Sequence, residues 1–501
     1  MKHKNFYITT PIYYPSGQPH MGHAYSSIYA DVFARFKRND NYNVFFLTGT
    51  DEHGLKIQKA AKKNNSDPLS YCNKISKVFK DLTTKLNLSN NDFIRTTEKR
   101  HYKSVVDIWN QLVKSGDIYL SKYKGWYSVS DEAYYNENEI VEKNGKKFST
   151  FSGSAVEWVE EESFFFKLSS WEKKLLEFYK NNEKFILPDS RKNEVVNFVK
   201  SGLKDLSVSR TSFTWGIKVP GNDKHVIYVW LDALTNYLSA LNYPDTSNKL
   251  YKNFWPASLH IIGKDILRFH AIYWPAFLLA AGIKPPVRIF SHGWILSGDE
   301  KMSKSKGNIL NPIEIINLYG IDELRYYLMK EVPHGSDGNI SLKNLESCIN
   351  SDLANNFGNL CQRVFSFVKN NCEGEVSKNL DISAADKKLI EKTENITKNL
   401  RNEMENQNLN NYIKSTINIS FLTNKYINDE EPWKLKKTDN KKMNNILHLS
   451  LEQIAKISIL LNPIIPVKTS KVLDALNISK EYRNLSFLDG KKIFTNKIKI
   501  N

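Results

Sequence analysis

The sequence predicts an α/β protein: a parallel sheet split by a β-rich insertion and followed by an α-helical bundle. Three observations carry this. An apolar strand, a loop, a helix and a second apolar strand succeed one another between Phe6 and Asp51. A stretch rich in Trp, Tyr and Glu begins near Ile118. Helical spacing takes over after about Asn350.

The first strand, Phe6 to Thr10, is aromatic and β-branched and is bounded by Pro11 and Pro15. Pro15-Ser16-Gly17-Gln18-Pro19 reads as a loop. From Met21 to Arg38, apolar Ile28, Val32 and Phe33 fall near helical spacing. Val44-Phe45-Phe46-Leu47 is the next strand and runs into Thr48-Gly49-Thr50-Asp51. Strand, helix, strand makes a parallel βαβ unit. Ligands of such sheets sit beyond the carboxyl ends of the strands, where His20, His23 and Asp51-Glu52-His53 fall.

The insertion carries turn signals at Lys124-Gly125 and Asn144-Gly145 and ends near Pro220-Gly221-Asn222. Sheet-like segments resume at 225–230 and 259–263. In the helical region Leu389, Thr393, Ile396 and Leu400 keep one face. Ile454 to Leu461 is densely apolar and is stopped by Pro463 and Pro466. The Asn/Lys-rich stretch Lys434 to Met443 reads as a solvated loop.

A chain of 501 residues has room for several domains, and 41% hydrophobic with 25% charged residues is a globular balance. No apolar run approaches the roughly 20 residues that a spanning helix needs. Met1 to Tyr7 lacks the charged-then-apolar order of a signal peptide, so a cytoplasmic location without membrane contact is expected. The net charge of +17 suits a polyanion such as RNA, but Lys accompanies abundant Asn and Ile, so charge alone decides nothing. Cys72, Cys348, Cys361 and Cys372 form no Cys-x-x-Cys pair, which argues against a disulfide framework and a cysteine zinc site.

Two motifs carry chemistry. A helix opening at His20-Met21-Gly22-His23 turns free N–H groups and its positive end toward the ligand crevice, and Gly22 permits close approach. His20 and His23, three apart, can both donate to triphosphate oxygens. Lys301-Met302-Ser303-Lys304-Ser305-Lys306-Gly307-Asn308 is a positive loop whose two lysines can close over a phosphorus where charge develops. Taken singly, each is also compatible with ordinary surface residues.

Together, in this order and separation, the two motifs resemble the signatures of the class I aminoacyl-tRNA synthetases. Within that class the chain closely resembles the methionyl-tRNA synthetase family, essentially end to end. Pro11-Ile12-Tyr13-Tyr14, Thr48 to Gly54, Glu157 to Ser163 with Phe165-Phe166, Tyr228 to Ala233, Ile262 to Ile266 with Phe269-His270, and Ser291 to Trp294 carry the likeness. It implies a Rossmann-like catalytic domain in residues 1–117 and 225–296. The connective insertion is then 118–224, the stem-contact region with the lysine loop 297–350, and the helical anticodon-binding domain 351–501.

The resemblance also implies roles. Ile12, Tyr14, Trp230, Ala233, Tyr237, Ile266, Phe269, His270 and Trp274 would line a methionine pocket. Tyr14 and His270 would offer polar contacts that tell sulfur from a methylene. Asp51, with Arg210 as partner, would bind the α-ammonium. His20, Gly22, His23, Gly263, Asp265, His292, Lys301 and Lys304 would hold ATP, and His20, His23 and the two lysines would be catalytic alongside Mg²⁺. Asn359, Arg363 and Trp433 would read the anticodon of initiator and elongator methionine tRNA; for Trp433 a helix-cap packing role is the alternative.

There are departures. Leu234 stands where relatives can carry Pro. Many relatives hold zinc through cysteines in the connective module, where this chain reads Trp126 to Asp131 and Phe148 to Gly153 without cysteine. The expectation is a zinc-free knuckle in which Tyr and Phe form a small apolar core. The chain ends at Asn501 without an appended tRNA-binding barrel, so a monomer is expected. The insertion is too short for the editing domain of leucyl, isoleucyl or valyl enzymes. A small nucleotidyltransferase would lack this length and helical tail. A non-catalytic tRNA-binding paralogue would not need His20, His23, Lys301 and Lys304 all intact.

Overall fold

The computed structural model describes residues 4–131, 133–297, 300–301, 311–378, 381–494 and 497–500, with the backbone alone at 123, 133, 134, 161, 300 and 301. It forms two compact units, one of residues 5–19 and 45–292, the other of residues 20–44 and from 293 onward together with Lys4.

The first unit is built on a six-stranded sheet in the order β3 (Asp92–Arg95), β2 (Asn43–Thr50), β1 (Asn5–Thr9), β14 (Leu259–Gly263), β15 (Ile289–His292), β9 (Ile186–Leu187). The pairs β2/β3, β1/β14, β14/β15 and β15/β9 are parallel. Chain order reverses at β1, so the crevice beyond β1 and β14 is the topological switch point where ligands of such sheets bind. The central strands are buried, as their continuous apolar runs require. Gly49 is needed at its place: a Cβ there would stand 2.0 Å from the Ile94 carbonyl oxygen of β3.

The insertion is a second sheet of antiparallel strands in the order β10 (Leu206–Ser207), β8 (Glu157–Phe166), β4 (Ile118–Ser128), β5 (Ala133–Tyr135). Asn144 and Gly145 both adopt positive φ, as a two-residue hairpin turn demands, and join β6 (Ile140–Lys143) to β7 (Lys146–Ser149). Lys124-Gly125, by contrast, is not a turn. It lies inside β4, where Gly125 pairs with Val159 and Lys124 reaches Glu160 at 2.6 Å. A small sheet of β11 (Ser209–Arg210), β12 (Lys218–Val219) and β13 (Asn222–Ile227) follows. The stretch 118–224 also contains β9, whose two residues add to the edge of the parallel sheet; a strand that short leaves no periodic signal.

The second unit is mainly helical. It carries the short strands β16 (Ile295–Ser297), β17 (Glu300–Lys301), β18 (Gly338–Asn339), β19 (Glu375–Ser377) and β20 (Lys497–Lys499). The dense apolar run near 454–461 lies in the helix Asn440–Leu461, where it is largely buried. Lys434 to Met443 is not one loop. The helix Pro432–Leu435 covers its start, and Asp439 caps the next helix by accepting from Lys442 N–H at 2.9 Å. Among the described residues no helix is long and apolar enough to cross a membrane.

Helix α1 (Met21–Asn39) belongs to this second unit. Its buried Asp31 accepts from Arg325 at 2.7 Å and from Arg35 at 2.7 Å, and Arg325 also donates to the carbonyls of Pro463 and Ile464. Lys37 meets Glu405 at 2.9 Å, and the Tyr29 hydroxyl donates to the Gln407 carbonyl at 2.8 Å.

Candidate active site

In the first unit, aromatic side chains gather around a slot. Trp230, on the helix Val229–Leu234, lies parallel to Phe269 with ring centroids 3.7 Å apart, and its edge meets His270 at 6.3 Å. Phe269 and His270 open a short π-helix, Phe269–Tyr273, that leads into the helix carrying Trp274. Tyr237 packs near Trp274 at 6.2 Å. Ala233, Tyr237, His270 and Trp274 are buried, whereas Ile12, Tyr14, Trp230, Ile266 and Phe269 are half-buried against the same core. Burial thus falls from an enclosed interior to a half-buried aromatic rim, the outline of an amino-acid slot under the expected reading.

Hydrogen bonds settle the protons here. His270 Nδ1 lies 3.0 Å from the Ile266 carbonyl, which can only accept, so Nδ1 carries the proton. Nε2 then accepts from the Tyr237 hydroxyl at 2.8 Å. Burial pushes the His270 pKa down to about 4, keeping the ring neutral at physiological pH. The Tyr14 hydroxyl donates to the His53 carbonyl at 2.6 Å. A thioether sulfur only accepts hydrogen bonds, and in this arrangement both Tyr14 O–H and His270 N–H are given to carbonyls. The expectation that these two side chains mark the sulfur by polar contact therefore shifts to the aromatic rings, near which sulfur packs favourably.

Asp51 follows β2 directly. It is nearly buried, and its N–H donates to the Tyr13 carbonyl at 2.9 Å. Arg210 is buried, donates to Ser207 Oγ at 2.9 Å and to the Ser209 carbonyl at 2.7 Å, and lies over the Tyr228 ring. Gly263 and His292 end β14 and β15 in register. A Cβ on Gly263 would stand 2.6 Å from Asp265 Oδ1, so glycine lets that carboxylate fold back over the strand end.

In the second unit, His20 caps α1. Its Nδ1 accepts the Gly22 N–H at 3.1 Å, and His23 Nδ1 accepts the His20 N–H at 3.1 Å, a reciprocal capping box. The rings stack at 3.8 Å. With both Nδ1 atoms accepting, the neutral rings each carry their proton on Nε2. Burial and the neighbouring His20 hold the His23 pKa well below its usual value, which favours that neutral form. A Cβ on Gly22 would come within 3.0 Å of the His20 ring, so glycine is what allows the ring to curl back. Lys301 closes β17 by its backbone; its side chain and residues 302–310, Lys304 among them, lie outside the described residues.

Further along the second unit, Arg363 stands 5.7 Å over the Trp433 ring and donates to Asn428 at 2.8 Å. Asn359 is exposed one helical turn before Arg363. Beside Trp433 opens a groove of about 330 Å³ lined by Val364, Phe367, Ile427, Pro432 and Leu447. Glu431 takes a left-handed conformation that ends the preceding helix and turns the chain, and Trp433 is 42% exposed.

The knuckle is held differently from expectation. Asp131 accepts from the hydroxyls of Tyr135 at 2.8 Å, Ser152 at 2.5 Å and Ser154 at 2.9 Å. Ser149 Oγ accepts the N–H groups of Phe151 and Ser152. Phe151 is exposed. A carboxylate among hydroxyls, not an apolar core of Tyr and Phe, ties these turns together. Asp232, between Trp230 and Ala233, is also fully buried; as one carboxylate on a short apolar helix it offered no sequence signal.

Residues 6–365 match the family model of class I tRNA synthetases (M), and residues 376–489 match the anticodon-binding domain of methionyl tRNA ligase. The chain is 47% identical to the methionine–tRNA ligase of Brucella suis biovar 1, over 97% of this chain and 94% of that one. It is 50% identical to that of Rickettsia typhi, over 95% and 94%. Mycobacterium tuberculosis methionyl-tRNA synthetase in complex with methionyl-adenylate superposes with a TM-score of 0.96 at 42% identity, covering 99% of this chain and 98% of that one. The chain thus belongs to the class I aminoacyl-tRNA synthetases and is an aminoacyl-tRNA ligase. Within that class its family is that of the methionyl-tRNA synthetases.

Proposed function

We propose that this chain activates L-methionine with ATP, releasing pyrophosphate, and transfers methionine from the adenylate to the 3′-terminal adenosine of initiator and elongator methionine tRNA. The aromatic slot at the switch point of the parallel sheet carries this reading. Ile12, Tyr14, Trp230, Ala233, Tyr237, Ile266, Phe269, His270 and Trp274 hold the side chain. Asp51, supported by Arg210, holds the ammonium.

The substrate carboxylate is already ionised, so no general base is needed. It attacks the α-phosphorus in line, and the enzyme's work is positioning and charge stabilisation. Gly263, Asp265 and His292 take the nucleoside side of ATP. Gly22 lets the His20 ring curl back at the helix start, and His20 and His23 give hydrogen bonds from Nε2–H to phosphate oxygens of ATP. Lys301 and Lys304 balance charge on the departing pyrophosphate. When bound with the triphosphate, Mg²⁺ would offset phosphate charge beside the residues named here. The Asp131 network supports a knuckle that needs no zinc. The same proposal has a monomer acting in the cytoplasm.

Asn359, Arg363 and Trp433 read the anticodon, an unstacked base lying against the indole. The test is charging of a methionine tRNA transcript by the parent and by Trp433→Ala. The variant should form adenylate normally and charge at least tenfold more slowly. Equal charging would remove Trp433 from the tRNA site.

A further inference from the structure

Asp232 holds two histidines from distant parts of the chain on one buried carboxylate. Its Oδ2 lies 2.7 Å from His53 Nδ1 and its Oδ1 lies 2.6 Å from His101 Nε2. His53 follows Asp51 by two residues, its carbonyl holds the Tyr14 hydroxyl, and its Nε2 faces the Tyr102 hydroxyl at 3.4 Å. His101 comes from the helix Lys99–Lys114, and its Nδ1 lies 2.9 Å from Ser239 Oγ. Both rings are buried.

The proton positions follow from what each partner can do. The carboxylate accepts, so His53 Nδ1 and His101 Nε2 donate. The Ser239 hydroxyl also reaches the Thr235 carbonyl at 3.0 Å, so the His101 ring is held at both nitrogens, Nε2 by Asp232 and Nδ1 by Ser239. Burial alone would raise the Asp232 pKa; the two histidines bring it down to about 2. A buried carboxylate whose oxygens both accept from ring N–H groups is satisfied, and it ties its two partners to one place.

We propose that Asp232, paired with His101 and tied to His53, is a positioning residue for the amino-acid slot. It sets the spacing between the wall of Trp230 and Ala233 and the side formed by Asp51 and Tyr14. This rests on the reading of the slot as the methionine site.

Asp232→Asn tests it. The amide can satisfy both neighbours if its oxygen accepts from His53 and its NH₂ donates to a His101 ring that has lost its Nε2 proton. Shape is kept and the carboxylate's charge is lost. Methionine- and ATP-dependent KM and kcat are read by ATP–pyrophosphate exchange on the full chain. The His101 ring is read by ¹⁵N NMR, assigned by its absence in His101→Gln. The expected result is a methionine KM at least tenfold higher, an ATP KM within twofold, and a His101 Nε2 that changes from protonated to unprotonated. A methionine KM within twofold of the parent, or an unprotonated His101 Nε2 in the parent, would overturn the proposal. If Asp232→Asn does not fold, Ser239→Ala removes only the outer partner of His101 and should raise the methionine KM about threefold with ATP unmoved; no rise overturns it. A parent without methionine-dependent exchange overturns the reading of the slot instead, while the NMR still reports the His101 proton state.

Discussion

Trp230 lies flat on Phe269, ring centroids 3.7 Å apart and planes 5° from parallel. The pair is half-buried, and under the proposed function it is the rim where a substrate side chain would exchange water for aromatic surface. Such a stack contributes about 0.5–1.5 kcal/mol beyond its buried area. Losing a contact of that size, Trp230→Ala should raise the methionine KM about three- to tenfold while leaving the ATP KM within twofold, measured by ATP–pyrophosphate exchange. Parallel rises in both would mean that Trp230 supports the fold and not the slot.

Gly22 governs the histidine pair. Gly22→Ala places a Cβ 3.0 Å from His20 Cε1, so the ring must shift by a few tenths of an ångström against its bond to the Gly22 N–H. The account expects about a tenfold or greater fall in kcat for adenylate formation, with the methionine KM little changed. An unaltered kcat would show that the ring orientation seen here is not the one used on phosphate.

Stability should follow the His270 proton. The unfolded chain takes that proton up near pH 6.5, whereas the buried ring refuses it until about pH 4. Its contribution is full above pH 6.5, is lost as pH falls from 6.5 to 4, and amounts to about 3 kcal/mol in all. Between pH 7.5 and 5, denaturant unfolding should show the parent losing about 2 kcal/mol more than His270→Gln. Equal losses would contradict a buried neutral His270.

Asp131→Ala removes the acceptor of three hydroxyls and should loosen the turns of the knuckle by about 1–3 kcal/mol. Limited proteolysis should then cut between 128 and 156 in the variant and spare the parent, with a zinc-selective chelator changing neither pattern. Cleavage of the parent on chelation would mean that a metal holds the knuckle.

Much of the sheet could be read from the chain because its strands are buried on both faces and so appear as unbroken apolar runs. The histidine motif was legible for a different reason: with the lysine loop it resembles the paired signatures of a family, whereas its capping box shows only in the fold. Three things were hidden. Gly125 looks like a turn but pairs inside β4, because ladder bonds override a local preference. The allegiance of α1 is set by Asp31, Arg325 and Lys37, contacts more than 290 residues apart in sequence for the first pair. Asp232 gained meaning when the fold brought His53 and His101 to it from 179 and 131 residues away.

The most direct test of the central claim is amino-acid-dependent ATP–pyrophosphate exchange by the purified chain with Mg²⁺ and no added zinc, run with each of the twenty amino acids. The account predicts exchange with methionine at least a hundredfold above any other. Exchange led by another amino acid, or none at all, would contradict it.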